Sequence, residues 1–340
     1  MTPLTFDLSI NAHNEKDLFD QVGNLALKLR PQWPSDSLKF NKYTNGITNT
    51  VLCVQNASDD EKLVFRIYGN CTENIIDRKS ELESFQLLGK YDIAPQVFCK
   101  FVNGFVVGHL PGETLTTRSV RDTEIISKVC EKLALMHRIP TDPPKKPFLF
   151  SKAQQFLNNI PARFDDEEKQ RQYEKLFSDV SFNDMFDELK EMISDIKNTN
   201  QVLCHNDLLI NNLLYDSNEV HIIDYEYTAV NYQLFDVANH FNEWAGVDDI
   251  DFNLCPNEDE KRHFVETYLK FYLEREPTAK EVDDVLSEIP LFMVASHLFW
   301  VLWALVQANT STIDFDYIDY AFKRLEEYSK IKAQIKSSSK

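Results

Sequence analysis

The sequence predicts an α+β fold, with a small strand-rich N-terminal part carrying one helix, then a larger and mainly helical part. Three observations lead there. Apolar residues alternate in NTVLCVQN, KLVFRIYGN and QVFCKFVNGFVVGHL, all before about residue 110, and period-two alternation marks half-buried strands. Beyond that point helical spacing dominates, and strand-like runs return only in VLCHNDLLINNLLYD (202–216) and VHIIDYEY (220–227). At 340 residues the chain exceeds one typical domain and suits two lobes.

Taken in order, YTNGITNTVLCV (43–54) reads as a hairpin whose single permissive backbone position is Gly46. Thr48 and Asn49 beside it offer side-chain or amide donors to an anion such as a phosphate. An ordinary hairpin turn explains the stretch equally well. In KLVFRIYGN, alternation places Leu63, Phe65 and Ile67 on one face and Val64, Arg66 and Tyr68 on the other. IIDRKSELESFQLLGKY carries Ile76, Leu82, Phe85 and Leu88 at helical spacing. Glu81 shares the face of Phe85 and Leu88, and a carboxylate on an apolar stripe calls for a cation, for which Arg66 is the candidate. TDPPKKP (141–147) is a proline-punctuated loop, and FDDEEKQRQYEKLF (164–177) is polar helical material. PLFMVASHLFWVLWALVQAN (290–309) is strongly apolar but contains Ser296 and His297. Its unbroken apolar part is far shorter than the roughly 20 residues a membrane span needs, so it is read as a helix buried in protein. KIKAQIKSSSK at the C-terminus is read as a frayed tail over residues 331–340.

Composition narrows the function. A formal net charge of −18 argues against a nucleic-acid partner, because phosphate backbones are held by clustered Lys and Arg. It is compatible with attracting a small cation, and equally with a solvated acidic surface. The cysteines Cys53, Cys71, Cys99, Cys130, Cys204 and Cys255 form no CxxC pair, and the N-terminal residues do not resemble a signal peptide. Free thiols in a reducing, cytoplasmic setting are therefore expected.

VLCHNDLLINNLLYD interrupts a core-seeking apolar run with His205, Asn206, Asp207, Asn211 and Asn212. Buried polar groups must be hydrogen-bonded or employed. Asp207 and Asn212 fit D-x-x-x-x-N, and Asp224 follows at the end of VHII. This is the arrangement of a kinase catalytic loop followed by a metal-binding Asp. There the first Asp accepts the proton of the attacking hydroxyl, and the Asn and second Asp hold magnesium on the ATP phosphates. His205 is expected to hydrogen-bond the loop backbone and fix its shape. Arg66 in LVFR then takes the place of the Lys of V-A-I-K, keeping the charge and changing the geometry. A polar turn between two buried strands is the alternative for the loop, and surface charges are the alternative for Arg66 and Glu81.

HNDLLINN, IIDYEYTAVNYQLFDVANHFNEWAG, ASHLFWVLWALVQANTSTIDFDYIDYAF and RIYGNCTENIIDR closely resemble the choline/ethanolamine kinase family, over about residues 38–330. The resemblance implies a protein-kinase-like bilobal fold. Its N-lobe would span 1–107, a hinge 108–110 and a helical C-lobe 111–330. It also implies MgATP-dependent phosphorylation of a small amino alcohol, the first step of phospholipid head-group synthesis, with ATP and Mg2+ required. Carried over by position, Asp207 is the base, Asn212 and Asp224 are magnesium ligands, and Glu226 assists at the metal. Arg66 and Glu81 position ATP, and Gly108, His109 and Leu110 meet adenine at the hinge. Tyr227, Glu243, Trp300, Trp303, Phe315, Tyr317 and Tyr320 match the acceptor pocket, where aromatic faces and carboxylates can hold a cationic head group. Asn239 and Glu243 project together at i, i+4 on FDVANHFNEW. Aromatics at helical spacing also read as plain core.

Leu209 and Asp248 stand where choline kinases of the family pattern have a Gln and a Tyr, and a carboxylate in place of a cage aromatic suits a primary amine. Ethanolamine is therefore the expected acceptor, with choline or dual use as the alternative. A non-catalytic pseudokinase would be expected to lose Asp207, Asn212, Asp224 or the phosphate cation, and all are present. A protein kinase would show an A-P-E segment, which is not found after Asp224. An aminoglycoside-type phosphotransferase fits the catalytic loop but not the Trp-rich late helix. The hydrophobic helices are compatible with a homodimer.

Overall fold

The computed structural model describes residues 3–43, 49–57, 61–69, 77–142, 146–196, 200–247, 249–311 and 313–338. The chain divides into two compact units, Met1–Gly112 and Glu113–Lys340.

The first unit is built on one sheet of β1 (Leu4–Phe6), β2 (Leu38–Tyr43), β3 (Asn49–Asn56), β4 (Lys62–Tyr68), β5 (Val97–Phe101) and β6 (Gly104–Gly108). Their order is β1-β5-β6-β4-β3-β2, antiparallel except for the β1–β5 pair. The alternation in KLVFRIY does what it predicted: Leu63, Phe65 and Ile67 are fully buried in one apolar cluster. That cluster is covered by α1 (Glu15–Leu29), through Leu18, Val22, Leu25 and Ala26. This helix is an addition to the single N-terminal helix expected. It carries its own sequence signal, an apolar repeat behind the N-cap Asn14, whose side chain accepts from the Asp17 amide at 3.0 Å.

On the opposite face, α2 (Arg78–Leu88) sets Phe85 edge-on to Phe105 with ring centroids 4.9 Å apart. Phe105 is paired across the sheet with Arg66, so Arg66 and α2 share a face. Asp77 caps α2 by accepting from the Lys79 and Ser80 amides. Gly104, opposite Ile67, is required by close approach: a Cβ there would lie 2.1 Å from the Arg66 carbonyl oxygen and 2.6 Å from the Phe101 ring. Gly108 ends β6, with His109 and Leu110 following it, all half-buried.

The second unit opens with β7 (Glu113–Thr114), α3 (Thr123–His137), α4 (Phe148–Asn159), α5 (Glu167–Phe177) and α6 (Phe182–Ser194). Four short strands follow, β8 (Gln201–Cys204), β9 (Leu213–Tyr215), β10 (Val220–Ile222) and β11 (Ala229–Tyr232). They form a β10-β9-β7 sheet and a β11-β8 ribbon. The unit closes with α7 (Gln233–Glu243), α8 (Glu258–Leu273), α9 (Ala279–Thr310) and α10 (Tyr317–Ser338).

Among the described residues α9 is long and apolar enough to cross a bilayer, yet its apolar stretch is buried. It packs against α10, α7, α4 and α8. Its N-terminus is fixed by a capping box between Thr278 and Glu281.

The tail expected at 331–340 is corrected by the structure, which continues α10 to Ser338. Ile331 extends the buried face of Tyr328, and Lys332 and Lys336 both pair with Glu188 on α6. An apolar anchor and two ion pairs thus hold a segment whose composition alone reads as frayed.

Candidate active site

VLCHNDLLINNLLYD folds as strand β8, a loop, a 3₁₀ turn over Ile210–Asn212, and strand β9. His205, Asn206, Asp207 and Asn212 are buried and each has a hydrogen-bond partner, whereas Asn211 is exposed. The amides of His205 and Asn206 both donate to the Asp236 carboxylate at 2.6 Å. His137 bonds the same carboxylate through Nε2 at 3.1 Å, and its Nδ1 meets the Tyr268 hydroxyl at 2.6 Å. The Asn206 side chain donates to the Tyr227 carbonyl at 2.9 Å and accepts from Asn231 at 2.7 Å. It does so from a left-handed backbone, φ 67°, a conformation uncommon outside glycine but commonest there in Asn and Asp.

The Asp207 amide donates to His205 Nδ1 at 3.3 Å, so the ring proton sits on Nε2 and is donated to the Ile223 carbonyl at 2.9 Å. Burial holds this imidazole below its ordinary range, and it is neutral. His205 thereby ties the Asp207 loop to the residue before Asp224.

Asn212 donates its amide nitrogen to the Asp207 carbonyl at 2.9 Å and approaches its carboxylate at 3.5 Å. With the nitrogen committed, the amide oxygen is the end left to act as a ligand. Asp224 follows β10 with φ 66°, a second left-handed non-glycine residue in the same neighbourhood. Burial pushes the Asp207 carboxyl well above the usual range, and the carboxylates of Asp224, Glu243 and Glu226 push it further, against a lowering by Arg324. Carboxylates close enough to act on Asp207, beside an amide oxygen, form the hard-oxygen donor set that suits Mg2+.

The expected pocket aromatics are brought together. Tyr227 meets Trp300 edge-on at 5.6 Å, and Trp300 meets Trp303 at 5.4 Å. Trp303 lies 5.8 Å from Tyr317 and 6.3 Å from Tyr320, and Phe315 contacts both of these tyrosines. Their polar tips are assigned: Trp303 donates to the Tyr227 hydroxyl at 2.9 Å, and Trp300 donates to Asn239 at 2.7 Å. Asn239 also accepts from Ser296 at 2.8 Å, which locks α7 to α9. One helical turn on, Glu243 is fully buried and paired with Arg324 at 2.5 Å.

In the first unit, Arg66 and Glu81 pair at 3.1 Å, with Glu81 completely buried. Arg78 is a second partner, 2.9 Å from the other Glu81 oxygen. Asn49 begins β3. Gly46, Thr48 and Asp248 lie outside the described residues.

Four participants escaped the sequence reading. Asp236 is a carboxylate set among the apolar Leu234, Phe235, Val237 and Ala238, and that mismatch was its signal. Arg324 occupies the apolar repeat of Tyr317, Tyr320, Leu325 and Tyr328, a lone cation on a buried face. Arg78 needed the geometry of Glu81. His240 accepts from Trp244 at 3.1 Å and donates to the Leu208 carbonyl at 3.0 Å, bracing the loop from α7.

A family model described as choline/ethanolamine kinase matches residues 40–329. The chain belongs to the choline/ethanolamine kinase family. As a member, it is 35% identical to ethanolamine kinase 1 of Homo sapiens over 96% of this chain and 75% of that protein. It is 34% identical to ethanolamine kinase 1 of Mus musculus, over 97% of this chain and 93% of that protein. Among solved structures, the Plasmodium vivax ethanolamine kinase superposes with a TM-score of 0.81 at 28% identity. That match covers 93% of this chain and 89% of the other. The protein-kinase-like fold expected of the family is thus the observed one.

Proposed function

We propose that the chain transfers the γ-phosphoryl group of MgATP to the hydroxyl of ethanolamine, giving ADP and phosphoethanolamine. This would be the opening reaction of phosphatidylethanolamine synthesis by the CDP-ethanolamine route. The observation that carries the reading is the position of Asp207. It is buried and bonded by Asn212, and it interacts electrostatically with Asp224 and Glu226 and with Glu243. Tyr320 and Tyr227 of the aromatic cluster feel the Asp207 charge as well. A proton acceptor, an oxygen-donor set and a box for a cationic head group therefore occupy one neighbourhood of one unit.

In this reading the ethanolamine hydroxyl attacks the γ-phosphorus, its proton passes to the Asp207 carboxylate, and the bond to ADP breaks. Burial, with the neighbouring carboxylates, raises the affinity of Asp207 for a proton and makes it a better base near neutral pH. Asn212 and Asp224, with Glu226 beside them, would hold Mg2+, which supplies charge neutralisation on the phosphates when bound. Arg66, held by Glu81, is assigned to the phosphates of ATP, and Arg78 shares that carboxylate. Residues 108–110 are assigned to adenine.

The names of the relatives support ethanolamine as the acceptor, and so does Leu209 in place of a Gln. The aromatic box would also accept a quaternary ammonium, which makes choline the second reading. The test supplies MgATP with ethanolamine, choline or neither and follows ADP. Ethanolamine-dependent turnover exceeding that with choline is expected. Equal kcat/KM for both would overturn the preference, and turnover with neither would overturn the assignment.

A further inference from the structure

The ion pair between Glu243 and Arg324 has a geometry that stability alone does not explain. Both side chains are essentially fully buried, yet a single guanidinium nitrogen, Nη2, meets a single oxygen, Oε1, at 2.5 Å. Buried Arg–carboxylate pairs gain most from the two-point fork, which engages both oxygens, and removing two charges from water is costly unless the remaining lone pairs are also satisfied. Among the described residues Glu243 Oε2 is buried without a hydrogen-bond partner, and so are Arg324 Nε and Nη1. The guanidinium lies over the Tyr320 ring, 5.0 Å from its centroid, so the pair abuts the aromatic cluster described above.

We propose that Arg324 is a positioning residue for acceptor recognition: it clamps Oε1 of Glu243 and leaves Oε2 to accept an N–H from a primary ammonium. The inference rests on the ethanolamine reading and deepens it. A quaternary ammonium has no N–H to give, so this oxygen rewards ethanolamine and not choline.

Arg324 also keeps the acceptor charged. Burial pushes the Glu243 carboxyl up, and Arg324 opposes that shift. The other groups around the pair do not replace it. Asp207 on the loop is of the same sign as Glu243, and Tyr320 on α10 and Cys255 beyond α7 are pushed towards their neutral forms by burial. His297 on α9 is held neutral by burial and by Arg324 itself, with a smaller contribution from Lys330. Glu327 and Lys261 act on Cys255 from further out, with opposite signs. Without Arg324 the folded Glu243 carboxyl holds its proton to higher pH, and acceptor affinity at neutral pH falls by roughly tenfold for each unit by which that pKa exceeds the pH.

The test measures kcat and KM for ethanolamine between pH 6.5 and 8.5 in the wild type and in Arg324→Met, Arg324→Lys and Glu243→Gln. Arg324→Met should raise KM at pH 7 about tenfold or more, the loss of a hydrogen bond to a charged group, with a smaller change in kcat. Its KM should fall as the pH rises and the carboxyl ionises. Arg324→Lys should recover most of the wild-type KM, and Glu243→Gln should show a raised KM with no recovery at high pH. A folded Arg324→Met protein whose KM is unchanged, or raised equally at every pH, would overturn the proposal. If Arg324→Met does not fold, a wild-type KM in Glu243→Gln overturns it and a raised, pH-flat KM supports it. A wild type with no ethanolamine-dependent turnover would remove the functional reading and this inference together. Wild-type turnover with a pH-flat Arg324→Met would remove this inference alone.

Discussion

Replacing Asp236 by Asn removes one oxygen and one charge from the point where the HND loop is anchored. Oδ2 accepts from the His205 amide and meets His137 Nε2, and Oδ1 accepts from the Asn206 amide, so three donors converge on one carboxylate. An Asn can keep its oxygen on one side only. Turned to serve His205 and His137, its NH2 group faces the Asn206 amide, donor against donor. Leaving that amide unpaired costs about 1–3 kcal/mol, and the two surviving bonds fall from the charge-assisted to the neutral range, about 1 kcal/mol each. The expected destabilisation is therefore about 3–5 kcal/mol. At roughly 2–4 °C per kcal/mol for a unit of this size, Tm should fall by about 6–20 °C. Because Asp207 is the next residue along, kcat should fall at temperatures where the variant is still folded. Thermal unfolding followed by near-UV circular dichroism, with kcat measured 20 °C or more below the transition, gives both numbers. A Tm within about 1 °C of wild type together with an unchanged kcat would refute the view that Asp236 holds the loop.

Two further perturbations test the scaffold of each unit in turn. Gly104→Ala places a methyl against the Arg66 carbonyl and the Phe101 ring, and the overpacking should cost about 1–3 kcal/mol; a urea midpoint equal to wild type would show that β6 relaxes freely. His240 is buried and neutral, with its pKa pulled down to about 4 by burial. Because its folded pKa lies below the unfolded value of about 6.5, the stability it contributes is complete above that value. It is lost as pH falls from about 6.5 to about 4, by about 3 kcal/mol. Urea midpoints over that range should therefore drop more steeply in wild type than in His240→Gln, and parallel profiles would contradict the assignment.

The first sheet and the late buried helix were legible because their signals are local. Period-two alternation in KLVFRIY sorts its two faces without further information, and the apolar stretch of α9 forms a buried helix whatever its neighbours are. The pair Arg66–Glu81 was legible for a similar reason, since a carboxylate on an apolar stripe requires a cation. What the sequence concealed is non-local. Asp236 stabilises a loop thirty residues away by receiving backbone amides, which every residue but proline possesses and which leave no mark in the sequence. Left-handed backbone at Asn206 and Asp224 is only weakly signalled, because Asn and Asp tolerate it better than other non-glycine residues yet adopt it at few of their positions. Arg324 was passed over because one cation in a helical repeat reads as an exposed position until its carboxylate partner on α7 is known. The C-terminal segment misled for the opposite reason: its lysines and serines suggest a solvated tail, while Glu188 and the buried Ile331 hold it in place.

The most direct measurement is product identification. The full chain is incubated with MgATP and ethanolamine, and the phosphorus-containing products are resolved by 31P NMR, with Asp207→Ala run in parallel. The account predicts ADP and O-phosphoethanolamine in equal amounts from the wild type. It also predicts a loss of about a hundredfold or more in rate for Asp207→Ala, the contribution of a positioned general base. ATP consumption that yields inorganic phosphate regardless of ethanolamine, or an Asp207→Ala protein that makes phosphoethanolamine at near the wild-type rate, would contradict it.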